Sequence, residues 1–193
     1  MKFVVARPDV VRAINQRWLL KFWMRHLEGN AVPPWAAVEA TDFSRMSDNL
    51  SFLDVVGTGS GLGFQIRAHG ALIAQVYGSA DCRGKQLENV IPASRHQEGL
   101  APYFHTVAAV SPVYTVHDVS DREGRVVHYE RLLLPFARNG KTVDRILASF
   151  ECVCIDGRFE GQALMRQPNA APALRLSARI EAREMAWTSN CRR

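Results

Sequence analysis

Between Leu50 and Val153 the hydrophobic period runs from two to helical and back to two, and that order of segments restricts the possible folds more than any single motif. Leu50 to Val56 and Leu62 to His69 alternate as strands, joined by Gly57-Thr-Gly-Ser-Gly-Leu-Gly63. The glycines of that run recur at every second residue and lead into a strand. They therefore read as a flexible hairpin turn, without the Gly-x-Gly-x-x-Gly spacing of a dinucleotide loop. Helical pieces follow. Ala71 to Tyr77 is ended by Gly78, Gln86 to Val90 is ended by Pro92, and a longer segment runs from Ala93 to Val110 with Leu100, Phe104, Val107 and Ala108 on one side. Three strand-like stretches close the body: Val113 to Val119, Arg125 to Phe136 and Val143 to Val153. Turns at Asp121-Arg-Glu-Gly124 and Asn139-Gly140 imply an antiparallel meander. Two strands, a helical block and three strands in one sheet make an α+β domain.

Ahead of this body, Val10 to Leu27 consists of good helix formers, with Arg17, Lys21 and Arg25 on one polar stripe. Ile14, Trp18, Leu19, Leu20, Phe22, Trp23 and Leu27 occupy more than the roughly 100° of surface that a single core covers, so the helix is expected to pack on two surfaces, one of them in a homodimer. Gly29, Asn30, Pro33 and Pro34 stop it. A short turn of helix is expected near Phe43 to Asp48. Beyond Phe159 the chain is rich in Arg, Ala and Pro; Ala173 to Trp187 reads either as a last helix or as a disordered basic tail. The expected organisation is an N-terminal amphipathic helix and linker over 1–34, a core domain over 35–156 and a basic tail over 157–193.

Composition excludes several classes. With 47% hydrophobic and 22% charged residues the chain has the balance of a globular protein. From Gly157 onward seven Arg stand against three Glu, which accounts for most of the net charge of +5. The main domain is thus nearly neutral and lacks the clustered basic face of a nucleic-acid binder. No apolar run reaches the roughly 18 residues of a membrane span. Arg7, Asp9 and Arg12 interrupt any secretory leader, and Cys82, Cys152, Cys154 and Cys191 have neither zinc spacing nor a disulfide frame. A cytoplasmic protein with reduced thiols is the resulting expectation.

Local residues strengthen the order of elements. Tyr77-Gly78, Gly84-Lys85-Gln86-Leu87 and Val90-Ile91-Pro92 look like the helix-end, Gly-turn and Pro-terminated pieces of PAS modules. Tyr129-Glu-Arg-Leu-Leu-Leu-Pro-Phe136, with a Trp-containing N-terminal helix, is similar to a stand-alone bacterial, mostly alphaproteobacterial, PAS-like family. The resemblance covers about Ile14 to Val153. It implies a five-stranded antiparallel sheet with a helical block, a pocket between those helices and the inner sheet face, and a sensory or protein-interaction role, usually in dimers. The partner would be a small molecule or a signalling protein, and catalysis is not implied. A small cavity-bearing isomerase or hydratase and a ligand-free scaffold are the alternatives.

No flavin or haem signature is present, and the cofactor is left unknown. Asp81-Cys82-Arg83-Gly84 lacks the Asn and the following Phe-Leu-Gln of flavin-binding PAS motifs, and His105, on the helix that ligates haem in some PAS proteins, has no supporting pattern. Cys152 and Cys154 share one strand face as small apolar side chains. His117 and His128 would meet across the Asp121 to Gly124 hairpin if the register set them opposite each other, and a slip of one residue would separate their faces. In the PAS reading Phe104, Tyr129, Arg131 and Leu133 lie near one cavity, with Tyr77 closing it. Arg131 is its polar anchor, able to pair with a carboxylate or phosphate; an internal ion pair is the alternative for that side chain.

Overall fold

The computed structural model describes residues 1–27, 29–166 and 172–181. Two of the expected strands are β2 (Leu50–Val56) and β3 (Gly63–His69), and the meander is β4 (Val113–Ser120), β5 (Val126–Phe136) and β6 (Arg145–Cys154). Between them stand α3 (Ala71–Tyr77), α4 (Leu87–Val90) and α5 (His96–Ala109). Gly78 ends α3 at φ +60°, where a side chain is disfavoured. Ahead of β2 lie α1 (Ile14–Arg25), α2 (Ala36–Glu39) and a 3₁₀ segment at Ser44–Asn49.

The sheet has seven strands rather than five, and it is mixed. β3, β2, β6, β5 and β4 pair antiparallel in that spatial order. At the β4 edge the chain adds β7 (Ala173–Ile180), antiparallel to β4, and then β1 (Val4–Ala6), parallel to β7. Neither the helix nor the disordered tail expected from Ala173 is found through Ile180; Glu181 is irregular, and 182–187 lie outside the described residues. The pattern Leu174, Leu176, Ala178, Ile180 alternates with polar residues, a period of two that the apolar spacing of three and four had obscured. The tail beyond Asp156 also fills the body: Leu164 and Met165 belong to the inner core, and the Glu160 amide donates to the Asp121 carboxylate at 3.1 Å.

Both faces of the sheet are covered. Leu53, Phe64, Ile66, Val127, Leu133 and Ile146 meet α3, α4 and α5 on the inner face. On the outer face Leu132, Leu134, Phe136 and Leu147 meet Leu19, Leu20, Phe22 and Trp23 of α1, together with Trp35, Val38 and Phe43. Two polar side chains fix α1 there. Trp23 Nε1 donates to the Pro135 carbonyl at 2.6 Å, and buried Gln16 donates from Nε2 to the carbonyls of Glu130 and Ser149. The broad apolar face of α1 is therefore consumed largely within its own chain; Ile14 and Trp18 stay outside, 77% and 42% exposed. The described residues contain no helix long and apolar enough to cross a membrane.

Trp23→Ala removes a buried ring and strands the Pro135 carbonyl, so we expect a loss of about 3–5 kcal/mol in urea unfolding. Ending the chain at Asp156 exposes the β4 edge and uncovers the core that Leu164, Ala178 and Ile180 complete. That truncated protein should melt well below the full chain or aggregate, as scanning calorimetry would read out.

Candidate functional site

Strand alternation sends Val127, Tyr129, Arg131 and Leu133 inward and His128, Glu130, Leu132 and Leu134 outward. Because both faces are covered, adjacent Glu130 and Arg131 are both buried, on opposite sides. Glu130 accepts a hydrogen bond from Tyr114 at 2.7 Å in the outer layer. The β4–β5 register pairs Thr115 with Arg131, His117 with Tyr129 and Asp118 with His128. His117 and His128 are thus one residue out of step and face opposite layers, so they form no pair. His128 instead bonds to Asp118 at 2.7 Å, and Asp118 also holds Arg175 of β7 at 2.6 Å, beside a bulge between Val116 and His117.

On the inner side the ends of α3, α4 and α5 leave a cavity of about 30 Å³, room for roughly two water molecules. Its wall carries Tyr77, Tyr129, His117 and Arg131, closed by Ile91 and Pro92 and by Met165 and Pro172 from the tail. Half-buried Arg95 and exposed Glu98 stand at the rim. Gly99 lets α5 press against α4: a Cβ there would lie 2.9 Å from Ile91 Cγ2. The close approach keeps the space narrow.

Of the five residues expected at the site, Tyr77, Tyr129 and Arg131 share this cavity, their hydroxyls and guanidinium converging from α3 and β5. Tyr77 and Tyr129 place their hydroxyl oxygens 3.4 Å apart. Phe104 and Leu133 do not join them. Phe104 is one turn too far along α5, packs edge-on against Phe64 at 5.0 Å and is 38% exposed. Leu133 points to the same face as Arg131 but two residues on, where Val113 and Ala148 flank it in the solid core. His105 lies away from the cavity, stacked on Phe3 at 4.0 Å.

Arg131 is 2% exposed. Its Nε donates to Thr115 Oγ1 at 3.3 Å, its Nη1 to the Gly99 carbonyl at 3.0 Å, and its guanidinium carbon lies 5.2 Å from the Tyr103 ring centre. Among the described residues no carboxylate comes within 4.0 Å of it, so the alternative reading, an internal ion pair, is not what holds it. Burial raises the Tyr103 phenol to about 12 and the Tyr129 phenol well above its usual value, so both hydroxyls keep their protons. Burial, reinforced by the charge of Arg131, lowers His117 to about 3 against a weaker opposing pull from Asp118. The ring is neutral at pH 7, and its Nδ1 is buried without a hydrogen-bond partner. Sequence reasoning considered His117 only as a partner for His128 across the hairpin and did not place it at the cavity. The β4–β5 register was the signal that would have found it, since only that register puts it beside Tyr129.

A small, partly open space between short helices and the inner face of the sheet, with one buried cation and several neutral hydrogen-bonding groups, defines a cavity-bearing α+β binding or interaction module. The chain belongs to the PAS domain family: a family model described as PAS domain matches residues 11–151. No curated protein matches the chain.

His117 also sets a pH dependence. Its folded pKa lies below the unfolded one, so the unfolded chain takes up the proton first; this contribution to stability is complete above about pH 6.5 and is lost as pH falls. At pH 5 the loss should reach about 2 kcal/mol. In His117→Gln the decline between pH 7 and pH 5 should be smaller by that amount, as urea titrations at both values would measure.

Proposed function

We propose that this protein is a cytoplasmic, non-catalytic PAS sensor that binds a small molecule in the cavity beneath α3, α4 and α5 and relays its occupancy to a protein partner or a second copy of itself. PAS domains are in general sensory and interaction modules, and the family assignment supports that role. The observation that carries the ligand-binding reading is the cavity wall itself. A guanidinium, two tyrosines and an imidazole line a small, mainly apolar space, and an apolar wall interrupted by a few polar groups is the make-up of a small-molecule site. β5 links that space to the outer layer, because Arg131 bounds the cavity while the neighbouring Glu130 carbonyl receives Gln16 of α1. Ile14 and Trp18, the exposed apolar residues of α1, are where a partner would add contacts.

Native mass spectrometry of gently purified full-length protein should show a stoichiometric small molecule that denaturation releases unchanged. A turned-over product would favour the enzyme alternative, and an empty chain whose melting temperature no small molecule raises would favour the scaffold. Sedimentation at tens of micromolar tests the second-copy relay: a chain monomeric with and without ligand would exclude it.

A further inference from the structure

We propose that the cavity ligand is a small monocarboxylate, its carboxylate set on Arg131 and its short apolar end against Ile91, Pro92 and Met165. The inference rests on the ligand-binding reading above and adds the chemistry of the ligand.

The argument begins with charge. A guanidinium 98% removed from solvent is held at considerable cost unless an anion faces it, and no carboxylate among the described residues does so within 4.0 Å. The Tyr103 ring offsets part of this cost and the Thr115 and Gly99 oxygens part more, but these are neutral groups. Neither hydrogen bond uses Nη2, so the fork keeps donors for a ligand in the cavity that Arg131 lines. A carboxylate meets that end with two parallel bonds.

The second observation is His117. It lines the same cavity, is 5% exposed, and its Nδ1 has no partner. A water molecule would satisfy the imidazole nitrogen yet leave the charge on Arg131 uncompensated; a carboxylate, which only accepts, answers both when the neutral ring carries its proton on Nδ1. The two tyrosines add a third donor, since only one of the paired hydroxyl protons lies between their oxygens.

Stoichiometry and size then select the anion. Arg95 and Glu98 at the rim carry opposite charges, so the lining is left with the one buried cation, Arg131, beside a neutral imidazole and the neutral Tyr129 phenol; that balances one negative charge rather than two and favours a carboxylate over a phosphate dianion. About 30 Å³ restricts the ligand to a small one, and Ile91, Pro92 and Met165 supply apolar lining for its short chain.

The test uses the full chain, stripped of bound molecules by dialysis at mild denaturant concentration and refolded. Propionate is titrated at constant ionic strength by calorimetry and thermal shift, with propionamide and inorganic phosphate as comparison probes. Propionate should bind and raise the melting temperature in a dose-dependent way, whereas propionamide, equal in shape but uncharged, should not. Arg131→Met should weaken propionate binding by about tenfold to a hundredfold. Should Arg131→Met fail to fold, the wild-type His117 ring resonances decide: they must shift with propionate and not with propionamide. Binding of phosphate in preference to propionate would overturn the carboxylate assignment. A neutral molecule recovered from the cavity by native mass spectrometry would overturn the anion assignment while leaving the ligand-binding function standing. If no probe binds and no molecule is recovered, both fail.

Discussion

Trp23 ties two layers of the molecule together: its ring lies in the outer core while its indole N–H reaches the carbonyl of Pro135, in a strand that also forms the roof of the cavity. Proline in a central strand removes one ladder donor, and here its own carbonyl is recruited by a helix instead. That seating lets β5 and β6 be buried on both sides, and the rest follows. With the outer face sealed by α1, the inner face is free to place polar side chains such as Arg131 and His117 under the short helices without the sheet losing its hydrophobic support.

The inner site depends on that support. Arg131 is braced by Thr115 across the strand pair, by the Gly99 carbonyl of α5 and by the Tyr103 ring, so its fork has a fixed direction before any ligand arrives. Fixed donors hold a ligand at a smaller entropic cost than mobile ones. The depressed basicity of His117 comes from the same packing, because burial and a neighbouring cation both oppose its charge.

The body of the fold was legible because its apolar periods and its turn residues agree. β2, α3 and the meander fall within a residue or two of their expected limits, and Gly78 and Asn139-Gly140 mark breaks as their chemistry requires. Two kinds of information were not legible. The pairing of β7 with β4 and of β1 with β7 joins segments more than fifty residues apart, and a three-residue strand such as Val4–Ala6 has too few alternations to declare itself. Register was the other. Tyr77, Tyr129 and Arg131 could be assigned to one cavity from alternation and fold order alone, but placing His117 with them and Phe104 outside needs the pairing of individual residues and the rotation of α5. The width of the apolar face on α1 was visible; that the same chain's sheet would take up nearly all of it was not.

The position of β7 has a consequence for how the molecule is made. The last described strand lies between the first strand and β4, so a growing chain that has already released β2 to β6 still carries an unpaired β4 edge and a β1 with nothing beside it. Until Ile180 clears the ribosome, that edge is open to strands of neighbouring nascent chains. Conditions that slow translation over the Pro168 and Pro172 stretch would lengthen the exposure, and a chaperone that shields strand edges would matter most in that interval.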